Sequence, residues 1–384
     1  MRPRERPVEE PILEPLAGHS ISRRDRSPAI PDSCIEIAVA HEVQTEVCMR
    51  HLLALALVGT MSLTACATDE IVEDDQMDGG DGKSDGSPNV TWKADIANIV
   101  PKKVHEYLEK YQWGDYHIVF HMSRKWYLLG DQGRGWLKRV GESAADLQEG
   151  DPGNGLEFLV MHRAMISHLT DRWGTEPVTN DPDGRTKFSD VLKGWTTDQQ
   201  LIDALAKKGG DVAKFRAGLA KINDFRSFAS EDEFGNFLQT TLRLSGAVDE
   251  MDSAIRSYDR DATVGAGNHN WLHGQFMDSA SPIDVGNPQT NLSNIMFWRI
   301  HGWIEAKWKQ FEAVHVRTPL EMMSYDQQLE RFLLHMQLHS DFSATQHAVN
   351  RPSKALVQQV KGVIFSNTPD CTKLSVGTTT DNCP

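Results

Sequence analysis

The sequence predicts a mainly α-helical fold, and three observations support this prediction. Apolar residues recur at helical spacing through most of residues 90–384, whereas alternating runs typical of strands are few. Proline, glycine and asparagine separate the helical stretches, as in residues 175–183 and 280–290. The chain has no internal repeat and no heptad run. We therefore expect one helix bundle with long loops and additional peripheral helices.

Helical periodicity and capping residues place the predicted helices along the chain. The expected ranges are 101–112, 115–130, 155–172, 197–207, 211–223, 231–245, 266–277, 291–312, 324–340 and 352–362. A chain of this length can bury a substantial core.

The charge of the chain is uneven and argues against some classes of partner. The net charge is −14, which argues against nucleic acid and against anionic lipid surfaces as partners. Residues 67–89 contain eight acidic residues and one lysine, so this stretch carries half of that charge. Its Asp, Gly and Ser content predicts a flexible tether, and the folded domain is expected over residues 90–384.

Residues 49–66 resemble a bacterial lipoprotein signal peptide. Met49 and Arg50 precede an apolar run that is too short to span a bilayer permanently. The run ends in Leu-Thr-Ala-Cys, in which Cys66 is the expected lipidation site, and the acidic tether follows at once. The resemblance implies an exported protein, attached to the membrane only by its lipid. The alternative is an ordinary signal peptide cut nearby, with no role for Cys66.

Residues 1–48 precede this signal and are rich in Arg, Pro and Glu. Translation from Met49 is the simplest explanation, and a disordered cytoplasmic extension is the alternative. In the predicted folded domain the remaining cysteines are Cys371 and Cys383. In an oxidising compartment we expect them to form a disulfide that fixes the C-terminal tail.

Six histidines form two sets with the same arrangement. In each set, two histidines lie four residues apart on one face of a predicted helix, and a third lies on the apolar face of a later helix. The sets are His117, His121 and His162, then His269, His273 and His301. Four helices with inward-pointing ligands are a recurring framework for two-metal sites. The sequence therefore predicts a four-helix-bundle core that houses a dinuclear metal site.

Imidazole ligands alone suit copper, and also zinc. A zinc hydrolase of the His-Glu-x-x-His type is disfavoured, because neither His-x-x-x-His motif of the two sets has the glutamate that acts as general base. A third such motif, His335 and His339 with His347 beyond it, is expected to lie outside the site.

The second set has the more specific sequence context. His269-Asn270-x-x-His273 is similar to a His-Asn-x-x-His motif, and residues 294–305 (NIMFWRIHGWIE) are similar to Asp-Pro-x-Phe-Trp-x-His-His-x-x-Ile-Asp. Both motifs belong to the second copper site of the type-3 copper proteins, which are the tyrosinases, catechol oxidases and haemocyanins. Asn294 and Ile295 replace Asp-Pro, and Ile300 replaces the first histidine of the pair.

The first set resembles the same family less closely. Phe158-Leu159-x-x-His162-Arg163 is similar to the Phe-Leu-x-Trp-His-Arg of the first copper site. Tyrosinases carry another histidine shortly before this motif, and residues 151–155 contain none. We assign that role to His117 and His121, at the helical spacing that arthropod haemocyanins use.

The resemblance implies two copper ions as cofactors and the dioxygen-dependent oxidation of small phenols or o-diphenols to o-quinones. Asn270 matches a family position proposed to orient the water that deprotonates a phenol, with Asp259 or Asp261 as its carboxylate partner. Gly274, after the second ligand, would leave room for a substrate ring. Two alternatives remain: a non-catalytic protein of this fold that binds dioxygen or copper, and a mononuclear relative. A second copper site that is open to substrate favours catalysis, and a covered site favours dioxygen binding without turnover.

Overall fold

The computed structural model describes residues 90–179, 181, 185–245, 256–342, 352–365 and 373–374. Within these residues the fold is mainly α-helical, which confirms the predicted class. The helices are α1 (Lys102–Lys110), α2 (Trp113–Arg124), α3 (Asp131–Arg139), α4 (Asn154–Trp173), α5 (Phe188–Leu192), α6 (Asp198–Lys208), α7 (Val212–Ile222), α8 (Glu231–Gln239), α9 (Asn268–Phe276), α10 (Ile295–Glu312), α11 (Pro319–Phe342) and α12 (Lys354–Ile364).

A small antiparallel sheet accompanies the helices. Its strands are β1 (Leu242–Leu244), β2 (Arg256–Arg260) and β3 (Lys373–Leu374), in the order β1-β2-β3. Leu242 pairs with Arg260, and Arg256 pairs with Leu374. Because these strands are short and lack a clear apolar alternation, the sequence did not indicate them.

The structure differs from the predicted helices in two places that local chemistry explains. The helix expected over residues 231–245 ends at Gln239, because Thr240 is extended (φ −144°, ψ 159°) and leads into β1. The β-branched Thr240 and Thr241 favour this extended backbone. Helix α3 was not predicted, because it contains two glycines and only two apolar side chains. These are Trp136 and Leu137, and both are buried.

Helix α10 runs through the centre of the main hydrophobic core. Asn294 is its N-cap, since the Asn294 side-chain Oδ1 accepts a hydrogen bond from the Met296 amide at 2.9 Å. Its buried side chains include Phe297, Trp298 and Trp308. Burial on nearly every face explains why α10 lacks a polar side over most of its length.

Helix α4 is fixed against two neighbours. A Cβ atom on Gly155 would lie 2.1 Å from the carbonyl oxygen of Asp232 in α8, so only glycine permits this close crossing. On the other side, the Arg163 guanidinium contacts Glu305 at 3.0 Å and Glu312 at 2.8 Å and stacks on Trp308 of α10. These contacts set the positions of α4 and α10 relative to each other.

Several predictions lie outside the described residues: the segment 1–48, the signal peptide 49–66 with Cys66, the tether 67–89, and the disulfide between Cys371 and Cys383. Among the helices of the described residues, none combines the length and the hydrophobicity needed to cross a membrane.

Candidate metal centre

The six predicted histidines lie on four helices and point to one region of the interior. Helix α2 carries His117 and His121, α4 carries His162, α9 carries His269 and His273, and α10 carries His301. All six side chains are buried, with exposed fractions of 4% or less. The structure therefore brings together every histidine that the sequence analysis selected as a ligand.

The first set forms a compact group. The Nε2 atoms of His117 and His121 are 3.1 Å apart, and their rings are perpendicular. The His162 ring lies 6.1 Å from the His117 ring and 6.2 Å from the His121 ring, measured between centroids. One ring nitrogen from each of the three histidines lies within 4.8 Å of the others, so the group could hold a metal ion.

The second set adjoins the first and is joined through His269, but its three histidines do not form a group with all ring nitrogens within 4.8 Å of one another. His269 Nε2 is 3.1 Å from the Nε2 atoms of both His273 and His301. His162 stacks on His301 with ring centroids 4.1 Å apart. The ring nitrogens of His162, His269 and His301 also lie within 4.8 Å of one another, so His162 belongs to two groups that could hold a metal ion.

Hydrogen bonds fix the orientation of five of the six rings through Nδ1. The Nδ1 atom lies 2.8 Å from a backbone carbonyl oxygen in four of them, namely Pro288 for His117, Phe158 for His162, Val285 for His273 and Phe297 for His301. His269 Nδ1 lies 2.9 Å from the side-chain Oδ1 of Asn270. A carbonyl oxygen can only accept, so each of these Nδ1 atoms carries the proton.

This tautomer leaves lone pairs on the Nε2 atoms. In the second set, His269, His273 and His301 all donate through Nδ1, so no proton remains for hydrogen bonds between their Nε2 atoms at 3.1 Å. Buried lone pairs at this distance repel each other unless a cation lies between them. Metal–imidazole bonds of about 2.0 Å with tetrahedral angles would separate such nitrogens by about 3.3 Å. The spacing therefore fits a metal ion.

His162 supplies a second observation of the same kind. Its Nδ1 donates to Phe158, and its Nε2 is buried without a hydrogen-bond partner in the described part of the chain. An unsatisfied buried polar atom costs about 1–3 kcal/mol, so such atoms are rare without a functional reason. Coordination of a metal ion would satisfy this nitrogen.

The electrostatics of the site favour neutral rings. Burial lowers the pKa of His117 to about 4 and that of His273 to about 3. For His121, His162, His269 and His301, burial and then the neighbouring histidines hold the pKa well below its ordinary value. Neutral imidazole is the form that binds metal, so the site requires no deprotonation at neutral pH.

The loop between α9 and α10 supports both sets. Its carbonyl groups at Val285 and Pro288 accept the Nδ1 protons of His273 and His117 respectively. Gln289 Nε2 also donates to Asp115 at the start of α2, at 2.8 Å. Loop carbonyls have no sequence signature, so the sequence analysis could not identify these partners.

Two phenylalanines flank the histidines. Phe297 stacks on His301 from within α10, at 4.0 Å between centroids. Phe365, directly after α12, stacks on His273 at 4.3 Å with an interplanar angle of 13°. The Phe365 ring also lies 6.2 Å from His121 and 6.3 Å from His269. It is half-buried and covers the histidine cluster, and the sequence analysis did not select it.

The residues assigned a role beside the ligands have other contacts as well. Asn270 orients His269 through the hydrogen bond described above. Asp261 accepts a hydrogen bond from the Thr263 amide at 2.9 Å and contacts Arg243, and Asp259 is exposed on β2. A Cβ atom on Gly274 would meet no atom within 4 Å, so space is open there.

Two histidines outside the two sets, His105 and His168, have hydrogen-bonding contacts of their own. His105 lies between Ser293 Oγ and the Val90 carbonyl, and His168 contacts the Tyr107 hydroxyl at 2.6 Å. His335 and His339 lie on α11 at positions whose side chains are outside the description, and His347 lies outside the described residues.

A scan against protein-family models finds none that matches this chain, and a search of curated proteins finds no match either.

Proposed function

We propose that helices α2, α4, α9 and α10 form a four-helix bundle that holds two copper ions, and that the protein oxidises phenols or o-diphenols to o-quinones with dioxygen. The observation that carries the proposal is the set of buried Nε2 atoms whose tautomers are fixed by Nδ1 hydrogen bonds. His117, His121 and His162 would hold one ion, and His269, His273 and His301 the other.

The donor set supports a copper-type ion over a hard cation. In the described part of the chain, both groups of side chains that could hold a metal consist of histidine alone. Calcium and magnesium prefer oxygen ligands, whereas imidazole suits copper, zinc and other late metals. Among these, copper is the choice because the sequence resembles type-3 copper proteins at the same residues.

The proximity of the two sets supports a dinuclear centre. His162 stacks on His301, and the His121 and His269 rings are 6.3 Å apart and nearly parallel. Two copper ions at this centre would supply the redox chemistry by which two molecules of o-diphenol are oxidised to o-quinone and one dioxygen is reduced to two molecules of water. A mononuclear site would need one set to lack ligands, and each set has three buried histidines.

The protein's own residues would prepare the site for this chemistry. Backbone carbonyls hold four rings in place, so little reorganisation is needed when ligands bind. Phe158, Phe297 and Phe365 surround the rings with apolar surface that limits access of water. Asn270 would orient a phenol-activating water near His269, as the family resemblance implies.

One observation favours a second candidate function, reversible dioxygen binding without substrate turnover. Phe365 lies on the His273 ring, where a phenol would approach the second ion, and a covered site favours carriage. Near Phe365, the end of α12 is contacted by the buried Lys125, whose Nζ donates to the Val363 carbonyl at 3.0 Å and pairs with Glu149 at 3.0 Å. For the oxidase to act, Phe365 must move aside or the substrate must enter beside it.

Oxygen consumption separates the two candidates. The copper-loaded full-length protein is mixed with 4-methylcatechol, and dioxygen uptake and quinone absorbance are followed together. The oxidase predicts one dioxygen consumed per two quinones formed, and the zinc-loaded protein serves as an inactive control. Copper binding with reversible dioxygen uptake and no quinone would support the carrier and exclude the oxidase.

We also propose that the protein is an exported lipoprotein, on the basis of residues 49–66. The proposal is tested by fractionating cells that express the full chain or its Cys66→Ser variant. We expect the full chain in the membrane fraction and the variant in the soluble fraction. Equal partitioning of the two would contradict lipidation at Cys66. Non-reducing peptide mapping tests the disulfide between Cys371 and Cys383.

A further inference from the structure

A cavity of about 700 Å³ lies apart from the histidine cluster. It is open to solvent on one side and is lined by residues 95–98, the end of α6, the turn that follows α9 and the beginning of α10. Small-molecule sites in proteins commonly have volumes of about 300–1,000 Å³. The residues that line the cavity include none of the six histidines.

The cavity is lined by an arginine that has no hydrogen-bonded counter-ion. The acidic side chain that acts on it electrostatically, Asp190, is paired with Lys193. Arg299 of α10 lines it and is half-buried, yet its guanidinium makes no hydrogen bond or ion pair with any residue that the structure describes. The half-buried Arg124, Arg163 and Arg317, by contrast, all contact glutamates at close distance. Partial burial of an unpaired charge is unfavourable, so Arg299 is suited to receive an anion.

Other charges at the cavity add to this preference. Lys207 and Lys208 line it from the last turn of α6, and neither forms an ion pair within the described residues. The acidic residues of the lining are Asp95 and Asp278, and the Asp278 carboxylate accepts the Ala280 amide at 3.2 Å. Three cations therefore face two carboxylates, in a chain whose net charge is −14.

Another part of the wall is aromatic. Trp195 and Phe276 are buried and stack on each other at 5.5 Å between centroids, with an interplanar angle of 24°. Met296 extends this apolar surface. Aromatic and apolar walls with one fixed polar group are typical of sites for small organic ligands. A planar guanidinium binds a carboxylate through two parallel hydrogen bonds.

We propose that this cavity is a second ligand site, which binds a small aromatic carboxylate. The carboxylate pairs with Arg299, with support from Lys207 and Lys208, and the ring lies against the surface of Trp195, Phe276 and Met296. The site requires no metal, because all of these groups belong to the chain and none is a histidine of the cluster.

Calorimetric titration of the metal-free full-length protein tests the proposal. The probes are 1-naphthoate and its neutral isostere 1-naphthamide. We expect naphthoate to bind at least about tenfold more tightly, because its carboxylate pairs with the Arg299 guanidinium and the neutral amide does not. Equal affinities, or no binding of naphthoate, would overturn the proposal. Using metal-free protein excludes coordination of the carboxylate by copper, so the result is independent of the proposed oxidase.

Variants of residues at the cavity test whether the probes bind there. Arg299→Gln should remove the preference for naphthoate and leave the affinity for naphthamide nearly unchanged. The matched control Arg226→Gln, at an exposed arginine that does not line the cavity, should bind both probes as before. Should Arg299→Gln fail to fold, Ala204→Leu fills the cavity from α6 and should weaken both probes. If Arg299→Gln or Ala204→Leu folds and binds naphthoate with unchanged affinity, naphthoate binds outside this cavity. That result would contradict the proposed site.

Discussion

The Nδ1 atom of His117 lies 2.8 Å from the carbonyl oxygen of Pro288, a residue 171 positions further along the chain. This contact joins the first histidine set to the loop that also orients His273 of the second set through Val285. The two sets therefore depend on one loop, and a displacement of that loop should affect both.

Gly114 tests this dependence. A Cβ atom there would lie 1.8 Å from the carbonyl oxygen of Gln289, next to Pro288, so Gly114→Ala must displace the loop or the start of α2. We expect a loss of about 1–3 kcal/mol in the free energy of unfolding, measured with urea, and weaker metal binding. Gly274→Ala is the matched control, because its Cβ has open space and alanine favours helix. Equal stability in the two variants would contradict the close contact.

The ligand assignment predicts selective loss of metal. His121→Gln should lower the copper content by about one ion per chain, because three ligands hold each ion. His335→Gln, in the His-x-x-x-His motif assigned no role, should retain full copper. Elemental analysis after equilibrium dialysis measures both. The assignment of the first set is wrong if His121→Gln keeps its copper while His335→Gln loses it.

Phe365 is predicted to limit access of substrate. Phe365→Ala removes the ring that stacks on His273 and should raise kcat/KM for a catechol several-fold, with copper content unchanged. Phe225→Ala, at a half-buried phenylalanine outside the cluster, is the matched control and should not affect turnover. No change in kcat/KM for Phe365→Ala would mean that this ring does not obstruct the substrate.

Lys125 is predicted to stabilise the segment that carries Phe365. Its ammonium is fully buried between Glu149 and the Val363 carbonyl, so Lys125→Met leaves a buried carboxylate unpaired. We expect a loss of about 3–5 kcal/mol in the free energy of unfolding. Adding Glu149→Gln to Lys125→Met should recover part of the lost free energy of unfolding, because a neutral amide then replaces the buried carboxylate. Lys193→Met breaks an exposed pair with Asp190 and should cost less than about 1 kcal/mol.

The metal-free protein should lose stability in mild acid. Histidines in the unfolded chain bind protons below about pH 6.5, whereas burial holds the pKa of His117 at about 4 and that of His273 at about 3 in the folded state. Between pH 6.5 and these folded-state pKa values, the unfolded state therefore binds more protons than the folded state. The free energy of unfolding falls as the pH decreases from 6.5 to about 4 for His117 and to about 3 for His273. His117 alone contributes roughly 3 kcal/mol to this loss.

Urea unfolding of the metal-free protein at pH 7 and pH 5 measures the effect. His117→Gln, which cannot be protonated, should show a smaller decrease between the two pH values than the unaltered chain. An equal decrease in both proteins would show that His117 is not the buried neutral group described here.

The helical class and the proximity of the six histidines were predictable because both follow from periodic spacing. Apolar residues at helical intervals placed α4, α9 and α10, and pairs of histidines four apart indicated one face of a helix. The Asn294 cap and the Arg163–Glu305 pair lie within stretches already selected as motifs, although their contacts became visible only in the fold.

The remaining features depend on contacts between residues distant in sequence. Val285 and Pro288 act through backbone carbonyls, which every residue has, so no residue type identifies them. Phe365 lies at the end of α12, which is held by apolar packing against α2 and α3 and by Lys125, and neither Phe365 nor Lys125 belongs to a motif. The short strands β1 and β2 were missed for the same reason, since their pairing is set by the fold around them.

The copper content of the full-length protein, combined with its response to hydrogen peroxide, tests the central claim most directly. After loading with Cu(II) and removal of excess metal, the account predicts two copper ions per chain, a weak electron paramagnetic resonance signal because the paired ions couple, and a strong near-ultraviolet absorption band after addition of peroxide. One copper per chain, with a full paramagnetic signal and no such band, would contradict it.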